Sequence, residues 1–283
     1  MSNDYYLSKL HEEVLSIVDF LDSVCKKNEI NYYITAGSLL GAIRHRGFIP
    51  WDDDFDVVMP REDYIKFSQI INTMECNDFE FVDMNTQKRY PWFFGKLVKK
   101  NTLVVSNMPY YNSDISSGLY IDIFPIDETN GKIDELSKRK KTIVTLLHLR
   151  NRKIFGKGLN TKTLVSHLFS FGMINKMIKR QYRFSSNGLL YYTNFGSQYS
   201  VQRQTMPKEW YDEGVRIRFE DREYNAPEQY TKVLESIYGP NYMQLPPVEK
   251  RRSHYPKMVR FSDGEEMYFD EVEHKVTVEE SLE

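Results

Sequence analysis

Residues 52–56 read Asp-Asp-Asp-Phe-Asp, four carboxylates in five positions, and groups so placed repel one another unless a cation neutralises them. If "DFDVVM" (54–59) is a β-strand, alternation puts Asp54 and Asp56 on one face with α-carbons roughly 6–7 Å apart. Phe55, Val57 and Met59 then point the other way, into a core. Two hard oxygen ligands at this spacing suit Mg²⁺ or Mn²⁺, which keep waters and recruit substrate phosphates to fill their shell. The competing structural account is an acidic turn with Asp53 and Asp54 solvated. It does not explain why Asp56 lies on an otherwise apolar strand. Asp122, in "LYIDIFPID", stands between Ile121 and Ile123, a costly place for an ionised group unless it is hydrogen-bonded or metal-bound. Both readings of Asp122 stay open on residue type alone. Asp127 falls past Pro125 and reads as a turn residue.

A complementary device precedes the acids. In "AGSLLGAIRH", Gly37 lets backbone approach a ligand closely. Ser38 is placed to cap a short helix whose free N–H groups face a phosphate. A Gly-Ser pair recurs in ordinary turns, so its weight comes from standing 16 residues ahead of Asp54. A glycine cradle plus paired carboxylates is the equipment of metal-dependent phosphoryl transfer. Arg44 reads either as a phosphate contact or as a cap on the helix C-terminus, and His45 follows it as a second candidate.

The elements that must position these residues are legible from periodicity. Leu7, Leu10, Val14, Ile17, Val18, Leu21 and Val24 recur at helical spacing over residues 4–27. "INYYITA" reads as a short strand and "REDYIKFSQIINTM" as a helix started by Pro60. "FEFVD", "FFGKLVKK", "TLVVS" and "GLYIDIFPID" read as further strands. A sheet of about five strands with flanking helices is expected in residues 1–130, and a helical, then aromatic-rich region in 131–283 packs on it in one compact unit. A late helix runs from Pro227 to Gly239.

Whole-chain properties narrow the class. The 283 residues are 41% hydrophobic, ordinary for a soluble globular protein. No run approaches the roughly 20 apolar residues that cross a bilayer. The N-terminus lacks the pattern of a signal peptide, and Cys25 and Cys76 alone make neither a disulfide framework nor a zinc site. A cytoplasmic protein is expected. The net charge of −2 conceals an asymmetry. Between Glu135 and Glu209 there is no acidic residue but fifteen lysines and arginines, leaving 23 basic against 40 acidic side chains elsewhere, a balance of −17. Such segregation points to a basic face for an anionic partner, or to a solvated helical face. Within it, "KTLVSHLFSFGMINKMIKRQYRF" (162–184) carries an apolar stripe beside Lys176, Lys179, Arg180 and Arg183. Such a helix either docks on an anionic membrane or glycan, making the protein peripheral at the inner membrane face, or packs on the catalytic domain.

The ordered segments "GSLLGAIRHRGFIPWDDDFDVVM", "GKLVKKNT", "YIDIFPID" and "FEDREYNAPEQYTKVLESIYGPNYMQLPPVEKRRSH" together resemble the LicD family of phosphotransferases, across most of residues 5–255. The resemblance implies an α+β fold of nucleotidyltransferase type: a mixed sheet with flanking helices, plus a helical, basic C-terminal extension. It implies Asp54, Asp56 and Asp122 as catalytic and metal-binding carboxylates for Mg²⁺ or Mn²⁺. It implies Gly37, Ser38, Arg44, Asp52 and Lys96 as nucleotide- and phosphate-binding residues. Family members move a phosphorylated alcohol, typically phosphocholine from CDP-choline, onto a glycan or lipid-linked glycan of the cell surface, as in lipopolysaccharide, teichoic acid or capsule. Relatives such as fukutin-related protein use CDP-ribitol. Choline would want an aromatic cage, for which Tyr110, Tyr111, Trp92 and Trp210 are candidates among many core aromatics. Two rival functions keep the residues but change the chemistry. A nucleotidyltransferase would leave a nucleoside monophosphate on its acceptor. A basic nucleic-acid-binding module would have no use for the carboxylates, which argues against nucleic acid as a partner.

Overall fold

A computed structural model describes residues 3–105, 117–156, 161–184, 188–251, 256–270 and 275–279. Tyr110 and Tyr111 lie outside the described residues. The first helix, α1 (Asn3–Lys27), leads into β1 (Tyr33–Ile34), α2 (Ala36–His45), β2 (Asp56–Pro60) and α3 (Arg61–Thr73). Three strands follow, β3 (Phe79–Val82), β4 (Gly95–Lys99) and β5 (Leu103–Val105), then the long β6 (Tyr120–Thr129). The basic interval forms α4 (Ile133–Phe155), α5 (Thr161–His167) and α6 (Phe171–Tyr182). The chain then runs through β7 (Tyr191–Thr193), β8 (Thr205–Pro207), β9 (Val215–Phe219), β10 (Arg222–Ala226) and α7 (Tyr230–Tyr238) to β11 (Met258–Arg260), β12 (Glu266–Asp270) and β13 (Lys275–Glu279).

The central sheet has the order β1-β2-β6-β4-β3, and β7 pairs with β6 and with β8. Among the described strands only β2 and β6 run parallel, with Asp56 opposite Asp122. β4 pairs antiparallel on the other side of β6, with Lys96 opposite Asp122. Three chemistry-bearing residues are therefore neighbours on three adjacent strands. Beneath them Phe55, Val57, Met59, Ile121 and Ile123 are buried, together with the whole predicted stripe of α1. The mixed α+β class expected from the sequence is what forms.

The region 131–283 adds strands to its helices: β7 extends the central sheet, and β11, β12 and β13 form a second sheet with β5, in the order β13-β12-β11-β5. Two expectations are corrected. The 162–184 segment is two helices rather than one, because the Ser170 hydroxyl accepts the Met173 N–H at 3.1 Å and starts α6 afresh. Its stripe divides. Ile174 and Ile178 are buried in a satellite core with Leu136, Ile143 and Leu146 of α4, whereas Leu164, Val165, Leu168 and Met173 are exposed. Finally, α2 begins at Ala36 behind an N-cap at Thr35, so Ser38 lies inside the helix and is not its cap.

Candidate active site

The site is built where β1 turns into α2. Thr35 donates its N–H to the carbonyl of Asp56 at 3.0 Å, and the Asp56 N–H donates to the Ser38 hydroxyl at 2.8 Å. Between them Ala36 adopts a left-handed φ of 48°, an uncommon conformation for a residue with a side chain, kept where the surroundings fix the turn. Ser38 thus fixes the backbone of Asp56. On the far edge of the strand, the Asp122 N–H donates to the carbonyl of Phe55 at 3.0 Å. This bond carries the β2–β6 ladder one residue before Asp56 and locks the two aspartates side by side.

β2 begins at Asp56, so Asp52, Asp53 and Asp54 lie in the preceding loop rather than on the strand. The carboxylates of Asp52 and Asp54 still act on Asp56. Burial pushes the Asp56 carboxyl well above the usual carboxylate range, and the negative charges of Asp54, Asp122 and Asp52 push it further. Lys96 is the opposing cation. Its ammonium lies 2.8 Å from Asp122 Oδ1 and is almost wholly buried. Burial lowers its pKa against the pull of Asp122, Asp56 and Asp54. Burial likewise raises Asp122, with Lys96 opposing. The ammonium also sits over the Tyr120 ring, 3.1 Å from its centroid, with the Trp92 ring at 5.2 Å and the Phe94 ring at 5.7 Å. Such faces attract a cation.

The predicted phosphate cradle has a tenant. A β-carbon at Gly37 would come within 2.7 Å of Asp52 Oδ2, so glycine is needed there for the close approach of a carboxylate. Arg44 is tied elsewhere: its guanidinium donates to the carbonyls of Tyr242 and Gln244 at 3.2 and 3.3 Å and to His45 Nε2 at 2.9 Å. Arg44 therefore joins α2 to the chain that follows α7. The segment also brings Arg251 to 4.8 Å from the Trp51 ring. Trp210 lies under Lys232, 5.7 Å from the ring.

Sequence reasoning misplaced Asp127. It is not in a turn but on β6, buried, accepting Arg61 Nε at 2.7 Å and a second guanidinium nitrogen at 2.8 Å. It also missed Tyr238, whose hydroxyl is pushed up by burial and by Tyr199, then by Asp56 and Asp52. α7 therefore presents a phenol to the acid cluster. The signal available was only its place in the late motif "ESIYGPNY".

Among the described residues no group of three His, Cys, Asp or Glu side chains is gathered so as to hold a metal ion by itself. The donor set nonetheless fits a hard divalent cation completed by phosphate oxygens: Asp56 and Asp122 are paired in register on β2 and β6, and Asp54 and Asp52 lie in the loop that leads into β2.

The LicD/FKTN/FKRP nucleotidyltransferase-domain family matches residues 29–155, the span from the end of α1 through α4. Residues 29–155 thus resemble that family's nucleotidyltransferase domain. The chain is 28% identical over 254 residues to the lipopolysaccharide cholinephosphotransferase LicD of Haemophilus influenzae, covering 85% of this chain and 92% of that protein. Shorter stretches match uncharacterised proteins of Rickettsia typhi, 56% identical over 45 residues, and Rickettsia prowazekii, 51% identical over 49 residues. These cover only 16% and 17% of this chain. The domain match and this relative together support a phosphotransferase enzyme.

Proposed function

We propose that this enzyme transfers phosphocholine from CDP-choline to a hydroxyl of a lipopolysaccharide or related surface glycan precursor, releasing CMP in the cytoplasm. The substrate class rests on the similarity to the Haemophilus cholinephosphotransferase. The observation that carries the chemistry is half-buried Asp56, paired in register with Asp122, with its proton affinity raised first by desolvation and then by the charges of Asp54, Asp122 and Asp52. Asp54 and Asp56 would hold Mg²⁺ or Mn²⁺, which when bound neutralises the diphosphate and stabilises charge on the leaving phosphate.

The protein's own groups do the rest. Ser38 keeps Asp56 in place through its backbone. Asp122, whose carboxyl is raised toward a basic role by burial, orients the acceptor hydroxyl and takes its proton as the oxygen attacks the phosphorus bearing choline. That oxygen–phosphorus bond forms as the bond from the same phosphorus to the CMP oxygen breaks. Lys96 holds Asp122 in position and balances the negative charge of the site.

Incubation with CDP-choline, CDP-ribitol, CDP-glycerol or nucleoside triphosphates, divalent metal and glycan acceptors tests this by mass analysis. CMP release with a phosphocholine adduct is expected. Pyrophosphate release with a nucleoside monophosphate adduct would replace it with nucleotidyl transfer. Asp56→Asn preserves shape, so we expect an unchanged melting profile and a turnover loss of several kcal/mol, about a thousandfold or more. Wild-type turnover unaffected by chelator would remove the metal from the reaction.

A further inference from the structure

The helical pair α5–α6 carries an apolar surface that packing leaves uncovered. Leu164 and Val165 on α5 are 53% and 47% exposed, Leu168 just after it 79%, and Met173 on α6 50%. They are not the face that packs: Thr163 and Ser166 turn α5 inward, and Ile174 and Ile178 bury the opposite side of α6 against α4. Leu164 and Val165 lie side by side on the exposed part of α5, and Leu168 continues it one residue past the helix. Met173 adds to it where α6 begins.

Cations frame this surface. Lys176 and Arg180 lie three and seven residues beyond Met173, on the exposed line of α6. Lys88 and Lys153 stand over the ring of Phe171, two residues before Met173, at 5.2 and 5.5 Å. No acid lies anywhere between Glu135 and Glu209, the interval that holds Lys153, Lys176 and Arg180. Isolated exposed apolar side chains are normal, but a cluster ringed by one sign of charge marks an interaction site.

We propose that the α5–α6 tip docks this protein on an anionic lipid bilayer, with Leu164, Val165, Leu168 and Met173 entering the headgroup–acyl boundary and Lys88, Lys153, Lys176 and Arg180 at the lipid phosphates. The match is one of charge and depth: apolar side chains sink a few ångströms into the interface while basic ones remain at the surface. A protein partner of ordinary interface would present acids to this ring, but it would not require four unshielded aliphatic groups at a short helix pair. Among the described residues no helix is long and apolar enough to cross a membrane, so the tip supplies attachment rather than insertion.

Sedimentation of the full chain with phosphatidylcholine vesicles, with and without phosphatidylglycerol, tests the assignment without using activity. Binding is expected on the anionic vesicles only, and raised salt should weaken it. Lys176→Glu with Arg180→Glu should lower the partition coefficient roughly tenfold or more. Leu164→Ser with Leu168→Ser should lower it at low salt as well, with the melting profile unchanged because both side chains are exposed. Equal binding to neutral vesicles, none to either, or insensitivity to the leucine variants overturns the proposal. So does a dimer, seen by light scattering, that the leucine variants dissociate while vesicle binding is absent.

Discussion

At the scale of single residues, buried charge is arranged in two contrasting ways on one strand. Asp122 and Asp127 both lie on β6, yet Asp122 shares a crowded carboxylate cluster, while Asp127 meets Arg61 through two parallel hydrogen bonds. The first arrangement leaves charge for a ligand to neutralise. The second is closed and structural. Arg61 also lies 4.1 Å from the Tyr182 ring centroid, so the pair joins the start of α3 to the end of α6. Arg61→Met leaves a carboxylate buried without its partner and should cost about 3–5 kcal/mol in urea unfolding. Adding Asp127→Leu should restore most of it, because an apolar pair of similar volume removes the unpaired charge.

Asp127 also shows where sequence reading stops. Its place past Pro125 reads as a turn, since proline cannot donate to a ladder. The register explains why it is tolerated. Asp122 donates toward β2, so odd-numbered neighbours face the other edge of β6. There β4 ends its pairing at Ile123 and β7 begins at Asp127. The missing donor of Pro125 falls in the gap. No local pattern announces that gap, whereas the acids at 52–56 and the isolated Asp122 announce themselves by composition.

At the scale of elements, α1 is the brace between the two sheets. Its Glu13 carboxylate is bonded to the Lys99 ammonium on β4 and to the hydroxyl of Ser262 beside β11, which also gives its N–H at 3.2 Å. Burial alone would raise the Glu13 carboxyl, but these partners outweigh it and hold the pKa below its ordinary 4.5. A carboxyl depressed in the folded state stabilises it fully above the unfolded value, and that contribution is lost as pH falls through the folded one. Glu13→Gln should therefore lower stability at pH 7 by roughly 1–3 kcal/mol. It should also flatten the acid limb below pH 4.5, read from urea midpoints across a pH series. The stripe of α1 was legible from spacing. Its polar brace was not, because Lys99 and Ser262 are fixed against Glu13 only by the order of strands.

For the whole molecule, the family-matched span 29–155 contains the carboxylates but not what encloses them. Phe55, one residue ahead of Asp56, packs at 5.1 Å from the Phe219 ring and 5.9 Å from the Tyr224 ring, both on the β9–β10 hairpin. Glu220, at the turn of that hairpin, receives the Phe48 N–H at 3.0 Å. A β-carbon at Gly47 would collide with its carboxylate at 1.9 Å, which explains the glycine of "RHRGF". The two separated motifs of the sequence are thus one packing unit around the acidic loop. α1 lies wholly outside the matched span, and seven of its buried apolar residues, at roughly 1.5–3 kcal/mol each, represent on the order of 10–20 kcal/mol of burial as an upper estimate. That equals or exceeds the net 5–15 kcal/mol typical of a folded domain. A fragment of residues 29–155 should therefore show no cooperative urea transition by circular dichroism, while the full chain shows one. Adding back residues 1–28 alone should not rescue it, since Phe55 would still lack Phe219 and Tyr224. A cooperative transition in either fragment would mean that the catalytic sheet holds its shape without the late motif, and that the motif serves the substrate rather than the fold.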